Sequence, residues 1–250
     1  MSGHSKWSTI KRKKGSADAK RSQMFSRIIK EMMVAVKDGG PDPETNTKLR
    51  LCINNAKGAN MPKENIQRAI TKADQEKTGI QELTFEGYGF SGVAIFVETL
   101  TDNNNRTVSF VRSIFTKKGG SLGTNGSLSF LFDRKGVFTI PAANVKSMDD
   151  FEMGAIEGGA EEIEVNDDTI EITVAMEDFG RMQKALEAME IEVENAELRR
   201  IPNDLKPVDA RTAMKVLRMI DDFEEIDDVV AVYHNMEMTD EIMAEIEAGE

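Results

Sequence analysis

The residues best suited to chemistry lie in the first thirty. Lys6, Lys11, Arg12, Lys13, Lys14, Lys20, Arg21, Arg27 and Lys30 are opposed there by Asp18 alone. Phosphates engaged by such a segment release counterions, so affinity falls as salt rises. Trp7, beside Lys6, has two readings: a platform stacking on an exposed base for about 1–3 kcal/mol, or a plug folded back onto the helices that follow. His4 shares the stretch and is counted with the arm's contacts, although a lone histidine is ordinarily a solvated polar residue. The bland alternative for the whole arm is a solubilising tail.

A second candidate surface holds Arg106, Arg112, Lys117 and Lys118 beside the loop Gly119–Gly126. Glycines let backbone N–H groups approach phosphate closely. The loop lacks a Gly-Lys-Ser/Thr ending, however, so a flexible connection is the expectation. Residues 82–132 hold 4 basic and 4 acidic side chains. A nucleic-acid backbone meets little repulsion there, and these four cations form a secondary contact surface. The pairs Asp221-Asp222, Glu224-Glu225 and Asp227-Asp228 are read as a solvated face rather than a metal site. His4 and His234 are the only histidines, and neither lies in a triad or elbow context. Cys52, between Leu51 and Ile53 on a helix, is expected to be a buried, inert thiol. No catalytic residue, cofactor or metal is predicted.

These residues must be positioned by recognisable elements. Phe25, Ile28, Ile29, Met32, Met33 and Val36 recur at helical spacing, predicting a helix over 16–38 stopped by Gly39-Gly40-Pro41. Lys20, Arg27 and Lys30 fall on its polar side. A second helix, capped by Asp42, buries Leu49, Ile53 and Ala56, and a third opens at Pro62. Beyond residue 75 the period changes. Strands are predicted at 84–90 and 93–101, a helix at 106–118, and strands at 127–132 and 136–140. Residues 135–202 then read β-α-β-β-α-β, the ferredoxin-like order, with a hairpin at Asn166-Asp167-Asp168. A last helix (209–225) and strand (228–236) cannot bury their faces alone.

The expected class is therefore α+β with three domains. A basic arm and three-helix domain (1–75) precede a discontinuous α/β domain (76–134 with 203–250), into which an acidic ferredoxin-like domain (135–202) is inserted. A linear parsing into consecutive lobes is the alternative.

Charge follows this division. The net charge of −12 conceals 16 basic against 6 acidic side chains in residues 1–73, a surplus of 10, and an acidic excess of 22 thereafter. The inserted domain alone holds 17 acidic and 6 basic residues, which argues against its gripping phosphate. With 40% hydrophobic and 30% charged residues the chain suits globular domains, not disorder. Its apolar runs are too short for a bilayer span, and no apolar stretch follows the first charges as in a secretory signal. One cysteine excludes an internal disulfide framework and fits a reducing compartment.

Several motifs resemble those of the YebC family. They are Gly3-His4-Ser5-Lys6-Trp7, Asn60-Met61-Pro62-Lys63, Glu86-Gly87-Tyr88-Gly89, Thr101-Asp102-Asn103 with Asn105-Arg106-Thr107, and Val232-Tyr233-His234-Asn235. They stand in the family's order over residues 3 to about 236. Phe90-Ser91 departs from the Pro-Gly usual after Tyr-Gly. The resemblance implies a helical N-terminal domain and two mixed α/β domains. It also implies a DNA-binding transcriptional regulator, with organellar relatives that look like translational activators and bacterial ones linked to ribosomes stalled on proline-rich stretches.

The combined expectation is a non-enzymatic nucleic-acid-binding regulator of gene expression, a monomer without a membrane partner. A ribosome-associated factor binding ribosomal RNA is the alternative. Organellar members carry a targeting extension ahead of the motif that starts here at Gly3, so a bacterial cytoplasm is expected.

Overall fold

The computed structural model describes residues 17–75, 79–166 and 168–248. The architecture is α+β: an N-terminal helical region followed by two α/β regions, each built on a four-stranded sheet. The chain packs as two compact units. One takes the segments through Lys30, Thr78–Asp133 and Ile201 onward; the other takes Glu31–Lys77 and Arg134–Arg200.

Among the described residues the first three helices are α1 (Ala17–Gly39), α2 (Thr47–Gly58) and α3 (Lys63–Gln75). The cap of α2 is Asn46, not Asp42. Asn46 Oδ1 accepts from Leu49 N at 3.0 Å, while its Nδ2 donates to the Ala35 and Gly40 carbonyls at 2.7 and 2.8 Å. One buried amide thus closes α1 and opens α2. Asp42 instead forms a local turn, accepting from Glu44 N at 3.0 Å. The buried face of α2 is Leu49, Cys52 and Ala56, with Ile53 only half-buried.

In the first unit β1 (Gln81–Tyr88), β2 (Ala94–Thr101), β3 (Ser121–Leu122) and β8 (Val229–His234) form an antiparallel sheet in the order β3-β1-β2-β8. The helices α4 (Asn104–Lys117) and α7 (Ala210–Glu224) cover one face. α7 buries Ala213, Val216, Leu217, Met219, Ile220 and Phe223. At about 1.5–3 kcal/mol for each large apolar side chain, this is a major stabilising contact. Phe115 of α4 meets Phe223 at 4.9 Å between ring centroids. On the other face Ala94, Phe96 and Tyr233 pack under Leu128 and Phe132. A further helix, α8 (Asp240–Ala248), absent from the elements expected above, adds Ile242 to the helix-side core.

The second sheet runs β5-β6-β4-β7, made of β4 (Phe132–Pro141), β5 (Ala160–Val165), β6 (Thr169–Ala175) and β7 (Asn195–Pro202), with α5 (Met148–Glu157) and α6 (Phe179–Ala188). This is the ferredoxin-like order. Its core holds Phe138, Ile140, Phe151, Ile172, Met182 and Leu186. Two strands expected at 127–132 and 136–140 are instead a turn at Ser129–Leu131 and one continuous β4. Gly136 does not break the strand. A Cβ there would lie 2.7 Å from the Phe179 ring, so the glycine permits close packing rather than a turn.

Candidate nucleic-acid interface

The arm residues His4, Lys6, Trp7, Lys11, Arg12, Lys13 and Lys14 lie outside the described residues, as does the side chain of Lys20. Arg21 is exposed on α1, its guanidinium 5.3 Å from the Phe25 ring centroid. Arg27 and Lys30 do not project outward as expected. Arg27 Nη2 donates to the Glu224 carbonyl at 3.2 Å, and Gln23 Nε2 donates to the same oxygen. Lys30 Nζ donates to Asp227 O at 2.7 Å and to Asp228 Oδ1 at 3.1 Å. Arg27 thus serves the negative C-terminal end of α7, where helix carbonyls lack internal partners, while Lys30 serves the turn that follows it.

Asp228 is the hub of this corner, with its side chain 5% exposed. Arg106 Nη2 donates to Oδ2 at 2.8 Å, and the Thr107 and Thr101 hydroxyls lie 2.8 and 3.1 Å from the same oxygen. Burial pushes the carboxyl pKa up, but hydrogen bonds from Arg106, Thr107 and Lys30 outweigh it and hold the group below its ordinary range. The Arg106 pKa is raised in return, first by its hydrogen bond to Asp228 and also by Asp102, 2.9 Å away.

Local sequence explains the geometry. Thr101 ends β2, its hydroxyl accepts from Asn103 N at 3.0 Å, and Asn103 caps α4 by accepting from Arg106 N at 3.1 Å. The Thr-Asp-Asn…Arg-Thr motif is thus a strand-to-helix corner that receives a buried carboxylate. Asp228 belongs to this hub and not to the solvated acidic face in which the sequence placed it. Its neighbour in that run, Asp222, is paired with Lys118 at 2.7 Å. Of the secondary contact set, Arg106 and Lys118 are therefore held by carboxylates. Arg112 and Lys117 are exposed and make no ion pair among the described residues.

The glycine-rich loop is not a flexible connection. Buried Glu86 on β1 accepts from the amides of Gly126, at 2.7 Å, and Leu128, while Gly123 N donates to the Glu86 carbonyl at 2.7 Å. These amides serve the carboxylate and backbone carbonyl of Glu86 rather than a phosphate. Gly119 has φ of +71°, and a Cβ on Gly120 would lie 2.5 Å from the Tyr88 carbonyl.

The Glu-Gly-Tyr-Gly motif is therefore a staple for that loop. Asn235 plays a similar part, accepting from Ala94 N at 2.8 Å and donating to Asp204 O at 3.2 Å. Its neighbour His234 is buried, and Nδ1 accepts from Met236 N at 3.2 Å, which fits a neutral ring. Burial, followed by the charge of Glu31, pushes the Cys52 thiol up to about 12. Among the described residues no group of three His, Cys, Asp or Glu side chains could hold a metal ion. No described helix is long and apolar enough to cross a membrane.

Sequence reasoning missed a further set of cations. Arg211, Lys215 and Arg218 stand exposed along α7, and Lys215 Nζ lies 5.2 Å from the Phe90 ring centroid. The signal was a basic repeat at helical spacing, obscured by the acidic total of the same segment.

A helical region leading into two antiparallel α/β regions is an arrangement shared with a conserved hypothetical protein from Aquifex aeolicus. That crystal structure superposes with a TM-score of 0.83 at 41% identity, covering 91% of this chain and 95% of that one. The model of the TACO1/YebC N-terminal domain matches residues 5–76, and that of the TACO1/YebC second and third domain matches residues 80–236. The chain belongs to the TACO1/YebC family.

Curated relatives carry the name probable transcriptional regulatory protein. One from Dictyoglomus turgidum is 44% identical over 245 residues, covering 97% of this chain and 98% of that protein. Another, from Rubrobacter xylanophilus, is 47% identical over 249 residues, covering 98% and 99%.

Proposed function

We propose that this protein is a non-enzymatic nucleic-acid-binding regulator of gene expression, acting in the cytoplasm as a monomeric DNA-binding transcriptional regulator. The observation that carries the reading is the segregation of charge. Residues 1–73 hold 16 basic and 6 acidic side chains, and the rest of a chain of net charge −12 is strongly acidic. The names of its relatives support the regulatory role. Phosphate contact rests on His4, Lys6, Trp7, Lys11, Arg12, Lys13, Lys14, Lys20 and Arg21, because Arg27 and Lys30 face inward. Such contacts give affinity without sequence readout.

A second reading, a ribosome-associated factor whose arm enters ribosomal RNA, is favoured by the acidity of residues 135–202, with 17 acidic and 6 basic side chains. A body of that charge is repelled by open duplex, while a thin basic arm can thread into a cavity. Crosslinking in cells followed by sequencing of the bound nucleic acid tests both. Promoter DNA is the expected dominant product; reads concentrated in ribosomal RNA transfer the proposal to the second reading.

A further inference from the structure

The charges of α7 run against its own backbone. Arg211, Lys215 and Arg218 occupy one narrow stripe in its N-terminal part, while Asp221, Asp222 and Glu224 crowd its C-terminal end. The helix dipole favours the reverse order, and among these charges only the cap Asp209 answers the positive end. Arg211 and Lys215 also form a like-charge pair one turn apart, which destabilises a helix. None of the three cations makes an ion pair among the described residues, and what Arg211 and Lys215 gain is the attraction of the cap Asp209. Lys118 meanwhile neutralises Asp222 at 2.7 Å, relieving the acidic end of the same stripe. Beside it Phe90 offers a half-buried ring, with Lys215 Nζ 5.2 Å from its centroid.

We infer that this stripe, flanked by Phe90, is a second phosphate-contact surface that grips a nucleic-acid backbone independently of the N-terminal arm. The inference rests on the proposed nucleic-acid reading and gives it a second foothold, on the folded body. Phosphodiester groups of RNA and DNA present the same chemistry to it. Cations projecting along one helix face follow a backbone without reading bases.

The test compares the full-length chain with two variants. One carries Arg211→Gln, Lys215→Gln and Arg218→Gln together; the other carries Lys11→Gln, Arg12→Gln, Lys13→Gln and Lys14→Gln. Binding of a fluorescent hairpin RNA and of a fluorescent duplex DNA is titrated across a range of salt. For the α7 variant the slope of log K against log salt is expected to fall by about two to three, with affinity at low salt reduced at least about tenfold. Its thermal midpoint should not drop, because a like-charge pair has been removed. Loss on either probe supports the surface, and the affected probe identifies the backbone. An unchanged slope in the α7 variant, with binding lost in the arm variant, overturns the inference and leaves the nucleic-acid reading intact. Absence of binding by the unmodified chain to both probes overturns the reading and the inference together.

Discussion

Arg106 and Asp228 lie 122 residues apart in the chain and meet through Nη2 and Oδ2 at 2.8 Å. Lys30 reaches the same carboxylate from α1 at 3.1 Å. Three distant segments of the first unit are therefore joined at one buried charge. Replacing Asp228 with Ala removes the one acceptor that two cations and two hydroxyls share. Removing one partner of a fully buried pair costs about 3–5 kcal/mol. Because the Arg106 side chain is 42% exposed, about 2–3 kcal/mol is expected here, read from urea unfolding at neutral pH.

The same carboxylate gives a pH signature. Its folded pKa lies below the ordinary 3.8, so the folded state favours the ionised form. The corresponding stability is present above about pH 4 and is lost as pH falls through the folded pKa. Unfolding free energies of the native chain and of Asp228→Asn should therefore differ at pH 7 and converge on acidification. A gap that stays constant down to pH 2 would contradict this linkage.

Cys52 should be almost silent toward thiol reagents in the native state. With its pKa near 12, the thiolate is on the order of 10⁻⁴ of the population at pH 8, against a few tenths for an ordinary cysteine. Labelling by a thiol-exchange reagent should be at least about a thousandfold slower than in denaturant. Rapid native labelling would show that the helix opens more readily than its packing implies.

Glu86→Gln should loosen the loop it staples. A neutral amide can accept one of the Gly126 and Leu128 N–H groups but presents its own N–H groups toward the other. A loss of about 1–3 kcal/mol is expected, with faster hydrogen exchange at those two amides. Nucleic-acid affinity should not change, since the loop's amides serve Glu86 rather than an external phosphate.

Gly58→Ala would normally stabilise a helix by about 0.5–1 kcal/mol. Here the added Cβ would lie 1.9 Å from the Glu194 carbonyl oxygen, so the sign reverses. A destabilisation of about 1–3 kcal/mol is expected from thermal or denaturant unfolding.

The fold class was legible because the period of apolar residues changes from helical to alternating near residue 80 and stays clear through the ferredoxin-like stretch. Boundaries were lost where one residue type has two uses. Gly136 reads as a break but lies inside β4 because Phe179 covers it, and Asp42 reads as a cap although Asn46 has the geometry. The glycine-rich loop suggested mobility, because nothing local reveals that Glu86 will satisfy its amides from 40 residues away. Charged side chains were hardest to place. Arg27, Lys30, Arg106 and Lys118 are ordinary surface cations by sequence, and their carbonyl or carboxylate partners come from distant parts of the chain. The cations of α7 escaped notice because summed charge erases a stripe.

Asn55 of α2 hydrogen-bonds both backbone groups of Ala196, its Nδ2 and Oδ1 each at 2.9 Å. Ala196 lies on β7, which ends the second sheet. A side-chain amide there mimics the next strand of the ladder and stops it. With Gly58 pressed against Glu194, α2 acts as a guard rail on an edge that would otherwise invite pairing with another chain. The ferredoxin-like stretch expressed without the helices is therefore expected to associate edge to edge. Those helices would then be what keeps this acidic sheet solitary.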